Sequence, residues 1–217
     1  MRNVIRRLGL WNIALVLLVS SVTSIFYSVQ SSATPTPIKS LSSIFNFRDM
    51  STSGVIKSGL IYRSAQLCQR NGDNKTNNQL SSSDQTKLAG ALEGGAIIDL
   101  RDHGTAKPQE WKDCPDPNLS NVKKVSLPAI GVGSASGYAK VFAGKEKANA
   151  SEGKPSGKES RANIGKALET IADTSGPVLF HCTYGKDRTG WTAAMVLYIV
   201  GADYATIKAD YLKSNDD

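Results

Sequence analysis

His181-Cys182-Thr183-Tyr184-Gly185-Lys186-Asp187-Arg188-Thr189-Gly190 sets an arginine six residues after a cysteine, across a glycine, and closes on Thr-Gly. Pro177 to Phe180 before it reads as a short buried strand. Trp191 to Val200 after it is almost continuously apolar and reads as a core helix. A strand, a tight loop and a helix N-terminus make a cradle for a phosphate. The N–H groups of residues 183 to 188, including those of Thr183, Tyr184, Gly185 and Lys186, can converge on one anion, and the helix dipole adds positive potential. Arg188 can grip two phosphate oxygens with its planar fork. The same donors favour the thiolate of Cys182, each pKa unit of depression being worth about 1.4 kcal/mol.

The stretch resembles the signature of the cysteine-dependent protein tyrosine phosphatases: His-Cys, five residues, Arg, then Ser or Thr. Asn46-Phe47-Arg48-Asp49, Leu60 to Leu67, Ile97-Ile98-Asp99-Leu100-Arg101 and Ala209 to Asp216 follow in order. Together they are similar to the secreted mycobacterial PtpB type, over about residues 44 to 217. The resemblance implies broad activity on phosphotyrosine, phosphoserine/threonine and phosphoinositides. It also implies that Lys186 and Asp187 accompany dual-specificity and phosphoinositide activity. Relatives of this type usually continue into further helices beyond the point where Asp217 ends this chain. The segment before the catalytic strand is Gly/Ser/Lys-rich here, so substrate-selecting residues do not carry over.

Outside the loop, patterning alternates strands and helices. Val55 to Tyr62 reads as a strand or hairpin. Ser81 can cap a helix running to Glu93, with Asp84 at its third position and Gly94-Gly95 as the stop. Ala96 to Leu100 and Val122 to Leu127 read as strands, Arg161 to Ala172 as a helix, and a last amphipathic helix starts near Asp203. The expected fold is an α/β sandwich with a mostly parallel central sheet flanked by helices, its ligand site at the carboxyl ends of the strands. Gly131 to Ser160 reads as a flexible insertion or flap.

The N-terminus differs in character. Arg2, Arg6 and Arg7 precede an apolar tract, Leu8 to Val19, that continues weakly to Val29, and Ser31-Ser32-Ala33 offers a cleavage site. Residues 1 to 33 read as a secretory signal peptide or, uncleaved, a membrane anchor. Residues 34 to 43 read as a Pro/Ser/Thr linker, and 44 to 217 as the phosphatase domain. In either case the catalytic part is expected outside the cytoplasm, periplasmic or secreted. Membrane contact would then come only through an uncleaved N-terminus or a lipid substrate. Cutting away residues 1 to 33 removes three of the 26 basic residues and none of the 19 acidic ones, taking the net charge from +7 to about +4. That balance suits an anionic phosphoprotein or phosphoinositide substrate and is too small to argue for nucleic acid.

Two histidines, His103 and His181, do not suggest a His-rich metal site, and no cofactor is implied. Gly131-Val132-Gly133 misses a dinucleotide fingerprint because the next glycine, Gly137, falls one position late. Cys68 and Cys114 either pair, contributing about 4 kcal/mol on a chain-entropy model, or stay free thiols.

The chemistry expected is two-step phosphoryl transfer, with Cys182 as nucleophile and a carboxylic acid as proton donor. No Asp lies between Asp116 and Asp173, so the candidate acids are Asp187, inside the loop, and Asp99, at a strand tip. A loop Asp beside the Arg is similar to the myotubularin pattern. Thr189 is expected to hydrogen-bond the thiolate, and His181 to orient the loop. Arg48, Asp49, Arg63 and Arg101 are expected to make structural pairs. Trp111, Asp113 and Asp116 read as a surface connection. The competing readings are a catalytically weak phosphate-binding module and, from the anion cradle alone, sulfur transfer.

Overall fold

The computed structural model describes residues 37–38, 41, 43–51, 55–70, 77–102, 115–129, 140–141, 143 and 156–215. Five strands form the main sheet in the order β1 (Arg48–Asp49), β2 (Ile61–Ser64), β7 (Val178–His181), β5 (Ala96–Asp99), β6 (Lys123–Ser126). β2, β7, β5 and β6 run parallel, and β1 joins β2 antiparallel at one edge. β3 (Cys68–Arg70) and β4 (Asn77–Gln79) make a separate two-stranded ribbon. The helices are α1 (Ser82–Ala91), α2 (Gly157–Asp173), α3 (Asp187–Ile199) and α4 (Tyr204–Leu212), followed by a 3-10 turn, Lys213–Asn215.

β2, β5 and β7 are buried at every position, as befits parallel strands covered on both faces. Alternate side chains serve opposite faces. Ile61, Ile98, Val178 and Phe180 pack with Ile164, Ala167 and Ile171 of α2 and Ala193, Val196 and Leu197 of α3. Tyr62, Ile97 and Leu179 pack with Leu88 of α1 and with Leu92, Leu41 and Ile44. The register pairs Ser64 with His181 and Asp99 with His181, so three strands end level. Cys182 leaves the sheet at that carboxyl edge.

Most predicted elements are present. Ser81 caps α1 by accepting from Asp84 N, and Gly94 lies past the helix end at φ 71°, a conformation that favours glycine. Four readings change. Residues 55 to 60 form turns, and the strand begins only at Ile61. The 34–43 segment is not wholly a linker: Leu41 is 3% exposed, and Ile38 N donates to the Tyr62 hydroxyl at 3.2 Å. The insertion does not run to Ser160, because Ser156 and Glu159 form a reciprocal capping box that starts α2 at Gly157. Within it, Val141 is buried and its carbonyl accepts from Arg161; most of 131–155 lies outside the described residues. Finally, α4 buries no residue, with Tyr204 and Leu212 exposed. Among the described residues no helix is long and apolar enough to cross a membrane; the Leu8 to Val29 tract lies outside them.

Removing the capping hydroxyl with Ser156→Ala should cost about 1 kcal/mol. Thermal unfolding should show a drop of about 2–4 °C for a domain of this size; an unchanged midpoint would contradict the cap's contribution.

Candidate active site

The loop after β7 is held from outside through its carbonyls. Gln66 N donates to Thr183 O at 3.2 Å. Asn46 Nδ2 donates to Tyr184 O at 2.9 Å, and Arg63 Nη2 to Gly185 O at 2.7 Å. In a planar trans peptide the N–H points opposite the carbonyl. Fixing these three carbonyls outward therefore turns the N–H groups of Tyr184, Gly185 and Lys186 toward the loop's inner side. Gly185 permits the turn with φ 69°, and a Cβ there would lie 2.6–2.7 Å from the Ser64–Ala65 backbone. α3 then begins at Asp187 with Lys186 as N-cap and no side-chain cap hydrogen bond. Ser81, Ser156 and Asp203 do cap the other three helices. The open N-terminus of α3 faces the same concavity, where backbone N–H groups and the helix dipole favour an anion. Cys182 sits at its base, free and 2% exposed.

Arg188, in the first turn of α3, is buried. Its Nη1 donates to Asp102 Oδ1 at 2.5 Å, Leu100 O at 3.3 Å and Ala129 O at 3.4 Å, and its Nη2 donates to Thr183 Oγ1 at 3.2 Å. Asp187 precedes it, half-buried; burial raises its carboxyl above the usual range, and the nearby Arg188 and Lys186 charges oppose that only in part. Among the described residues Asp187 takes part in no ion pair. Thr189 Oγ1 is buried without a hydrogen-bond partner. The expected bond from Thr189 to the Cys182 sulfur is therefore not made.

His181 is fully buried. Nε2 lies 3.0 Å from Asp116 Oδ2, and Nδ1 lies 3.4 Å from Cys182 O. Both ring nitrogens face oxygen acceptors, which suits an orienting donor and not a base. Asp116 also accepts from Arg101 Nη2 at 3.1 Å, and its side chain is 8% exposed. The surface-connection reading fails for this residue, since desolvated arginine and histidine groups draw its carboxylate inward; Trp111 and Asp113 lie outside the described residues. Asp99 accepts a bidentate pair from Arg101, Nε at 2.9 Å and Nη2 at 2.7 Å, plus the Arg101 N–H. Burial pushes the Asp99 carboxyl up, but the Arg101 hydrogen bonds and the His181 and Arg101 charges outweigh it and hold it well below the usual carboxylate range. Asp99, Asp116 and His181 offer ligand atoms within 4.8 Å of one another; the cation these carboxylates already engage is the Arg101 guanidinium.

Behind the loop, Arg63 is fully buried and donates to Asp210 and to Ser214 Oγ at 3.2 Å as well as to Gly185 O. Burial, partly offset by Asp210, lowers its pKa to about 10. Arg48 reaches the same Asp210 (Nε to Oδ1, 2.9 Å) and Ser214 (2.9 Å). Asp49 orders the turn before β2 by accepting from Ser58 Oγ and Gly59 N. The structural pairing expected of Arg48, Asp49, Arg63 and Arg101 is what the geometry shows. Asn46, Gln66 and Asp210 lie within stretches that carried the resemblance, which was the signal for them. Asp102 and Asp116 had no comparable signal.

A model of the Tyrosine phosphatase family matches residues 39–217. The chain belongs to that family. The triple specificity protein phosphatase PtpB of Mycobacterium tuberculosis (strain ATCC 25618 / H37Rv) is 55% identical over 47 residues, 22% of this chain and 17% of that protein. A second curated relative, from Cupriavidus necator, is 53% identical over 38 residues, 18% of this chain and 14% of its own length. The chain thus spans less than a fifth of the curated relatives it matches. Among solved structures, the core catalytic domain of PP-IP phosphatase SIW14 from S. cerevisiae is similar at 19% identity and TM-score 0.43, over 78% of this chain and 75% of that one. TpbA of P. aeruginosa is similar at 18% identity and TM-score 0.41, over 77% and 72%. Cys68 is disulfide-bonded; Cys114 lies outside the described residues.

The Asp99–Arg101 pair predicts an acid-sensitive stabilisation. A carboxylate whose folded pKa is depressed stabilises the fold fully above its unfolded pKa, about 3.9, and loses that contribution as pH falls below it. Asp99→Asn should cost about 3 kcal/mol near neutrality, with the gap to wild type shrinking below pH about 4. Denaturant unfolding of both proteins across pH checks this; a gap that does not narrow would contradict the ion pair.

Proposed function

We propose that this chain is an exported phosphatase that hydrolyses phosphate monoesters through a phosphocysteine intermediate. One observation carries the reading: a free, buried Cys182 at the carboxyl end of β7, under a loop whose carbonyls are pinned outward by Gln66, Asn46 and Arg63. In the first step the Cys182 thiolate forms an S–P bond while the P–O bond to the leaving group breaks. The departing oxygen takes a proton from Asp187. In the second step water attacks phosphorus, Asp187 accepts its proton, and the S–P bond breaks to release phosphate and the thiolate. Arg188 and the loop N–H groups stabilise the equatorial oxygens throughout.

Asp187 is the better acid of the two candidates. A raised carboxyl pKa keeps a proton available nearer neutrality. The depressed Asp99, locked to Arg101, has none to give. His181 anchors the Cys182 carbonyl. Tyr184 is 42% exposed and Lys186 partly so, leaving them on the rim to meet a substrate's aromatic or anionic surroundings. The substrates proposed are phosphotyrosine and phosphoserine/threonine proteins and phosphoinositides; the named triple specificity of PtpB supports that breadth. Export is supported by the basic-then-apolar N-terminus and by the disulfide at Cys68.

Turnover of a small aryl phosphate tests the proposal. Cys182→Ser should lose activity by about 10⁴-fold or more. Asp187→Asn should lose about a hundredfold. Because the Asp187 pKa lies above that of an ordinary carboxyl, the alkaline fall in wild-type kcat should sit above the ordinary carboxylate range and vanish in Asp187→Asn. Persistent turnover in the serine variant would overturn the covalent route. Phosphate binding without turnover by wild type would instead make the chain a phosphate-binding module.

A further inference from the structure

Arg188 is held by a carboxylate that no feature of the signature loop supplies. We infer that Asp102 is the positioning residue for Arg188, setting the plane of its guanidinium for the incoming phosphate. The inference rests on phosphate binding at the loop, as proposed above.

The geometry distinguishes positioning from competition. A carboxylate standing in for substrate would bridge the two branches of the fork, as a phosphate does. Asp102 instead meets Nη1 alone, through Oδ1 at 2.5 Å. The same Nη1 also points at two main-chain carbonyls, Leu100 O and Ala129 O, just past the ends of β5 and β6. That edge of the guanidinium is turned into the protein. Nη2 points the other way, to Thr183 Oγ1 in the loop itself. Asp102 thus pulls on the inward branch, and the outward branch is directed at the concavity lined by the loop. Neutral carbonyls alone offer weak, broad acceptors. The charge-assisted bond is the strong one and sets the direction.

Asp102 is also well placed to be rigid. It follows Asp99 and Arg101, whose bidentate pair fixes the end of β5, and Leu100 N donates to His181 O at 2.9 Å. The carboxylate therefore reaches Arg188 from a strand end tied to the catalytic strand, with its side chain 16% exposed against 10% for Arg188.

Calorimetric titration of inorganic phosphate into the full chain tests this without relying on turnover. Asp102→Asn and Asp102→Ala should each weaken phosphate binding by about tenfold, as expected on losing a charge-assisted hydrogen bond. Asp102→Glu should recover part of it. In an Arg188→Lys background, Asp102→Asn should change binding by less than about twofold, because a residue acting through Arg188 has nothing left to position. A general structural role would weaken both backgrounds alike. Tighter phosphate binding in Asp102→Asn would show competition and overturn the inference, as would equal losses in both backgrounds or unchanged binding in all variants. Failure of wild type itself to bind phosphate would overturn the phosphatase reading along with it.

Discussion

The outward pinning of three consecutive carbonyls, those of Thr183, Tyr184 and Gly185, is the constraint on which the rest of the site depends. Left to itself, a loop of N–H groups converging on one point has its dipoles aligned unfavourably and relaxes. Here Gln66, Asn46 and Arg63 each hold one carbonyl. Those donors come from the chain around β1 and β2, which explains why so short an antiparallel edge strand belongs to the fold. The sheet brings Ser64 level with His181, and Gly185 lets the loop lie against the Ser64–Ala65 peptide with no side chain in between.

Charge balance organises the second layer. Among the described residues four buried arginines lie around the loop, each paired with a carboxylate: Arg48 and Arg63 share Asp210, Arg101 meets Asp99 and Asp116, and Arg188 meets Asp102. Breaking a buried pair leaves an uncompensated charge and costs several kcal/mol, while the pair itself adds little net stability. Such pairs are therefore better explained by the geometry they impose than by the stability they add. Asp210 joins Arg63 and Arg48 across the sheet edge and ties α4 to the loop, even though α4 buries no side chain of its own. The Tyr211 ring on that helix lies close enough to Gly190 that a Cβ there would come within 2.8 Å of it. Among the described carboxylates around the loop Asp187 is left out of this pairing, and burial raises its pKa against the lowering effect of Arg188 and Lys186.

The signature loop was legible because it is local. Cys182, Gly185 and Arg188 are spaced by the loop itself, and β5 and β7 each open on three apolar residues, whereas β2, Ile61-Tyr62-Arg63-Ser64, has no such run and was read with the wrong bounds. Ser81 and Asp84, equally local, read correctly as a cap. The carboxylates of the second layer were harder. Asp116 looks like any polar residue between prolines until the fold sets it beside His181, 65 positions away. Asp102 meets Arg188 across 86 positions. Asp99 was placed at the right strand tip and offered beside Asp187 as a candidate acid; its bidentate pairing with Arg101, two residues on, has no sequence mark. Thr189 illustrates the reverse: its type fits the role, while its hydroxyl rests without a partner.

The most direct test of the pinned-loop account is amide NMR of the isotope-labelled protein during titration with inorganic phosphate. The account predicts that the backbone N–H signals of Tyr184, Gly185, Lys186 and Asp187 move most and in concert, as those donors take up the anion. Phosphate binding that leaves these four amides unmoved, with shifts confined to surface lysines, would contradict it.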